Sequence, residues 1–150
     1  MKKVQKAEIK IGWVKKTPNQ VKKHYTQFTT EEQARLEEIV EQINLNKIWS
    51  SKHLKTKDSV TYNFNDVKDV VLDNKIIEYN ITKKNKNTYD KRIVLRGNKS
   101  IITNKGKMNL CIVVSLKNMA IVTLYYNSSV FNTHAKVDMN RYCSDLKIEV

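Results

Sequence analysis

The sequence predicts an α+β fold: N-terminal helices packed on one face of a four-stranded antiparallel sheet, closed by a short C-terminal helix. Three observations predict it. Apolar residues recur at helical spacing in the first half of the chain. From residue 75 the period changes to two, in four runs rich in β-branched and aromatic residues. The last two runs are separated only by "KNM", which implies a tight antiparallel hairpin.

The first helix is "TTEEQARLEEIVEQINLN". Thr29 or Thr30 can cap it, with Glu32 or Gln33 three residues on completing a capping box. Leu36, Ile39, Val40 and Ile43 share one face, and the early glutamates complement the helix dipole. A second helix is expected over residues 65–74, "NDVKDVVLDN", with Val67, Val70 and Val71 inward. "KHYTQF" and "WSSKHLK" each leave room for a further turn. The four strands are "KIIEYNI", "KRIVLRG", "NLCIVVSL" and "AIVTLYYN", joined by the polar stretches "TKKNKNTYD", "NKSIITNKGK" and "KNM". "VDMNRYCSDL" then reads as a short helix capped by Asp138, with Met139, Tyr142 and Leu146 on one side.

A length of 150 residues with 40% hydrophobic residues suits one domain with a core of its own. The longest apolar runs are far below the ~18–20 residues that span a bilayer, and "MKKVQKAEIKIGWVKK" never develops the apolar region of a signal peptide. Cys111 and Cys143 are the only cysteines. They form neither a disulfide framework nor a zinc spacing, so a cytoplasmic compartment is expected, in a bacterium or a phage-infected cell. Cys111, inside "NLCIVVSL", reads as a small buried hydrophobe. No membrane partner and no cofactor are implied.

Lys+Arg number 28 against 15 Asp+Glu, a net charge of +13 that favours a polyanionic partner. Lysine outnumbers arginine 24 to 4, so compositional bias contributes. The charge is nevertheless segregated. Residues 1–27 hold eight lysines and one glutamate, and residues 82–107 hold nine Lys/Arg and one aspartate, Asp90. Between them the first helix is acidic. Lys83, Lys84, Lys86, Lys91, Lys105 and Lys107 are the expected nucleic-acid contacts, in loops able to hold backbone by counterion release. His24, among N-terminal lysines, reads as a surface residue; Trp13 and Trp49 read as packing.

A half-covered sheet alternates core and open positions. By parity Ile77, Tyr79, Ile81, Ile93, Leu95, Val122, Leu124 and Tyr126 go to the core. Glu78, Arg92, Arg96, Thr123, Tyr125 and Asn127 then share the open face, with Ile121 an apolar exception there and His134 just beyond the last strand. Arg92 and Arg96 stand about 13 Å apart along their strand. The plainer alternative is ordinary sheet polarity, with Glu78 and Arg92 a cross-strand pair.

The order "SSKHLK … NDVKDVVLDNKIIEYN … KRIVLRG … NLCIVVSL … AIVTLYYN … NTH … DMNRY" resembles the small toxin-type ribonuclease fold shared by barnase, EndoU, the tRNA-cleaving colicins and RelE, in a bacterial and phage branch. It covers about residues 50–146, leaving 1–49 as a basic segment and acidic helix outside the ribonuclease-like core. The resemblance implies a site of His53, Arg92, Arg96, Thr123, Tyr125 and His134. Asn132 stands where such members carry an acidic residue.

Metal-independent RNA cleavage needs a base for the 2′-OH, cations for the phosphorane and an acid for the leaving oxygen. His134 suits acid or base, with His53 or Glu78 as counterpart. Arg92 and Arg96 suit charge stabilisation, Thr123 a phosphate hydrogen bond, and Tyr125 base stacking or hydrogen bonding. No His/Asp/Glu cluster has metal-ligand spacing. The expectation is a small metal-independent endoribonuclease acting on RNA. The alternatives are a non-catalytic nucleic-acid-binding protein on the same fold and a module that binds an acidic, antitoxin-like protein.

Overall fold

A computed structural model of the chain describes residues 19–48 and 63–150. His53, Trp13 and Trp49 lie outside the described residues. The chain runs β1 (Gln20–His24), a 3-10 turn (Tyr25–Gln27), α1 (Thr30–Glu41), α2 (Phe64–Leu72), β2 (Asn74–Asn85), β3 (Thr88–Thr103), β4 (Gly106–Ser115) and β5 (Ala120–Ser128). The strands form one antiparallel sheet in the order β1-β2-β3-β4-β5.

This corrects the expected architecture in three respects. The sheet has five strands rather than four, because "QVKKH" in the lysine-rich segment pairs with β2 from Gln20↔Thr82 to His24↔Glu78. Both helices among the described residues follow that strand in the chain rather than preceding the sheet. No C-terminal helix forms: Asp138 closes only a single turn, accepting at its carbonyl from the Arg141 and Tyr142 amides. The lysines conceal β1. Val21 and Lys23 face the helices, and the buried Lys23 ammonium meets Glu32 at 2.8 Å. Lysine at 3% exposure is uncommon, and only a carboxylate brought from α1 makes it tolerable.

The helix ends follow local rules. Thr29 caps α1 through the Glu32 amide, and Glu32 reaches back to the Thr29 amide. Glu32 also accepts from Lys23 and from the Ile148 amide. Burial alone would raise its pKa, but these hydrogen bonds outweigh it and hold the carboxyl below its ordinary value. Asn63 caps α2.

The main core joins Leu36 and Ile39 of α1 and Val67, Val70 and Val71 of α2 to Ile76, Tyr79, Ile81, Ile93, Leu95, Leu110, Ile112, Val114, Ile121 and Leu124 of the sheet. Gly97 permits that contact. A Cβ there would lie 2.7 Å from Val70 Cγ2, inside van der Waals distance. The hairpins are tighter than the polar stretches implied: β2 and β3 are separated by residues 86–87 alone, and β3 and β4 by 104–105.

The sheet has four register shifts, and two of them are β-bulges that overturn the expected core assignments. One falls between Ile76 and Glu78, the other between Val113↔Thr123 and Val114↔Ile121. At each, two residues of one strand oppose one of its neighbour. Ile77 and Val122 therefore leave the expected core side and pack on the far face with Val94, Cys111 and Val113. Ile121, expected as an apolar exception on that face, is buried under the helices.

Candidate functional site

The sheet face away from the helices carries Lys22 and His24 from β1, Glu78 and Asn80 from β2, Asp90, Arg92 and Arg96 from β3, Ser115 from β4, and Tyr125 and Asn127 from β5. It is not open. The segment after β5 crosses it: His24 Nε2 donates to the His134 carbonyl at 2.7 Å, and the Tyr142 hydroxyl donates to Glu78 Oε1 at 3.1 Å. The Cys143 amide then bonds the Lys22 carbonyl on the β1 edge, and Leu146 is buried in the core on the helix side. The C-terminal segment thus covers the exposed edge of β1, a common way of protecting an edge strand.

Arg96 and His134 meet beneath that segment. Arg96 is 7% exposed. Its Nη1 donates to Asn127 Oδ1 and to His134 Nδ1, the latter at 2.9 Å; its Nη2 donates to Asn109 Oδ1 at 3.0 Å and to the Ser128 carbonyl at 3.1 Å. All four terminal guanidinium hydrogens have acceptors. Since a guanidinium only donates, His134 Nδ1 must accept, and the ring proton lies on Nε2. That proton points at the Tyr125 hydroxyl, 3.0 Å away. Burial, followed by the positive charge of Arg96, pulls the His134 pKa down to about 4. The ring is neutral at neutral pH and both its nitrogens are engaged.

The network continues inward. Beneath Tyr125 lies the fully buried Cys111 thiol, which donates to the Asn109 carbonyl at 3.8 Å and whose pKa burial pushes up to about 12. Burial likewise raises the Tyr125 phenol, helped by Cys111, Glu78 and Tyr142. Asn127 also holds Thr133, and Asn109 holds the Gly97 carbonyl and accepts from Ser129.

The other expected site residues stand apart from this cluster. Arg92 Nε donates to Asp90 Oδ2 at 2.7 Å, and Asp90 Oδ1 accepts from Ser115. Glu78 accepts from Tyr142 and Asn80 and lies 3.8 Å from the Lys22 ammonium. Burial lowers the pKa of that ammonium, while Glu78 opposes the shift. Thr123 pairs with Val113 beside the bulge at Val122. Of the expected set, His134, Arg96 and Tyr125 converge; Arg92, Glu78 and Thr123 do not join them.

Sequence reasoning missed His24. Expected on the surface, it is 1% exposed; the Thr26 amide donates to its Nδ1, so its proton too lies on Nε2. Its alternation with Lys23 along β1 was the available signal. Among the described residues no group of three or more His, Cys, Asp or Glu side chains could hold a metal ion.

The expected nucleic-acid contacts lie elsewhere. Lys83, Lys84 and Lys86 are exposed at the β2–β3 hairpin, and Lys105 and Lys107 at the β3–β4 hairpin. Lys91, also exposed, donates to the Glu149 carbonyl. No helix among the described residues is long and apolar enough to cross a membrane. No family model, curated protein or solved structure matches the chain.

Proposed function

We propose that the protein binds nucleic acid, RNA in the first instance, through its lysine-bearing hairpins and without cleaving it. The observation that carries this reading is the contrast in commitment of its cations. Arg96 has no terminal hydrogen left for a phosphate, and Arg92 is paired with a buried carboxylate. Lys83, Lys84, Lys86, Lys105 and Lys107 are exposed and in no ion pair among the described residues. Phosphate contact displaces counterions at such side chains without breaking any internal bond. The net charge of +13 supports the same reading.

A salt series of RNA affinity tests it. Affinity falls steeply with salt, and replacing Lys83, Lys84 and Lys86 by glutamine lowers the slope of log K against log salt by about two. A slope unaltered by that triple change would remove the hairpin from the interface.

A second reading, metal-independent endoribonuclease, is favoured by one observation: His134, Arg96 and Tyr125 lie within hydrogen-bond reach of one another, as an acid–base centre with a cation would require. It demands that substrate displace the Arg96–His134 bond. Labelled RNA incubated in EDTA separates the two. Intact RNA supports binding alone, whereas cleavage that His134→Ala abolishes makes the protein a nuclease.

A further inference from the structure

We infer that the β2–β3 hairpin is a stacking platform for single-stranded nucleic acid, with Tyr89 as the surface on which an unpaired base lies. The inference rests on the nucleic-acid-binding reading and adds the form of ligand to it. Tyr89 is 40% exposed, a large ring left in water on a strand whose next apolar positions, Ile93 and Leu95, are fully buried. Its register partner is Lys83. Directly opposed residues on neighbouring strands share a face, with Cβ atoms about 5 Å apart, so the Lys83 side chain leaves the sheet next to the ring. Lys91, two positions along β3, lies on that same face, about 7 Å further on. Its ammonium is anchored on the Glu149 carbonyl rather than on a carboxylate of the sheet. Lys84 and Lys86 complete the tip.

The single carboxylate of this segment is turned away. Asp90 is 4% exposed and points to the opposite face, where Ser115 and Arg92 hold it. The alternation of the strand therefore presents ring and cations on one side and hides the anion on the other. An aromatic face flanked by ammonium groups spaced along a strand is the arrangement that holds a base by stacking and its neighbouring phosphates by charge. A duplex keeps both faces of its internal bases covered, so the ring has nothing to stack on there. The platform selects unpaired strands.

The test uses the full chain and fluorescence anisotropy at low salt, with labelled oligodeoxythymidylate, which has no 2′-OH to be cleaved, and the same strand annealed to its complement. Tyr89→Ala weakens binding of the single strand by about 5- to 150-fold. Tyr89→Phe, which keeps the ring, restores it to within about 2-fold. Duplex affinity is the same in all three proteins. Unchanged single-strand affinity in Tyr89→Ala, with wild-type protein binding normally, overturns the platform and leaves the electrostatic reading standing. So does an equal loss on duplex, which would mark a general disturbance of the hairpin. Wild-type protein that binds neither probe at low salt overturns both.

Discussion

The two basic regions of the sheet draw on similar residue types and use them in opposite ways. Under the C-terminal segment, Arg96, His134, Tyr125, Asn109 and Asn127 form one network, in which the four terminal guanidinium hydrogens and the imidazole proton are all spent on acceptors. At the β2–β3 hairpin, Lys83, Lys84, Lys86 and Tyr89 project into water. A cation, an imidazole and a phenol close together do not by themselves make a reaction centre. What counts is how many of their hydrogen bonds remain to be made. The buried cluster holds the segment after β5 to the sheet, whereas the hairpin lysines are left in water.

The sharpest way to break that contrast is Arg96→Ala. It strips donors from Asn127, Asn109, the Ser128 carbonyl and His134 at once, and is expected to cost at least about 3 kcal/mol of stability by urea denaturation. A loss under 1 kcal/mol would mean the cluster is dispensable and its cation free for other work. On the helix side of the same strand, Gly97→Ala drives a methyl into Val70 and is expected to cost about 1–3 kcal/mol, read in the same titration.

Acid tests the cluster without mutation. Between pH 6.5 and about 4 the unfolded chain's imidazole takes up a proton that the folded His134 ring refuses, so stability falls as pH drops through that window and levels off below it. The expected contribution is about 1–2 kcal/mol, less than the full shift implies because the ring is partly solvated. Glu32, held below its ordinary range, adds a loss of the same sign at lower pH. A melting-temperature series should lose the upper part of its slope in His134→Gln; a slope that persists there unchanged would place the titration on another group. The smallest effect on stability belongs to the hairpin. Lys83, Lys84 and Lys86 changed together to glutamine should leave the unfolding midpoint within about 0.5 kcal/mol of wild type, though nucleic-acid affinity falls. Parallel losses of stability and affinity would show that the hairpin is structural too.

Legibility followed sequence distance. The Thr29–Glu32 capping box spans three residues, so α1 could be read directly, and Val67, Val70 and Val71 marked the inner face of α2. Strand parity sets Arg96, Cys111 and Tyr125 in one cross-strand row, but only the path of the chain after β5 brings His134 back onto Arg96. The bulges were not, because a register shift depends on the partner strand. Ile77, Val122 and Ile121 were assigned to the wrong faces for that reason. Nor could β1 be recognised, since Lys23 is acceptable inside only when Glu32 arrives to meet it. That Arg96 is spent rather than available depends on Asn109, Asn127 and Ser128, more than ten residues away.

Residue order alone specified the helices α1 and α2, the antiparallel run of β2 to β5 and the segregation of charge, because periodicity, capping and composition act between near neighbours or over the whole chain. Only the tertiary structure decided which cations were consumed. A guanidinium's hydrogen bonds are filled by whatever acceptors folding brings within reach, and in this chain those groups come from β4, β5 and the segment that closes over them.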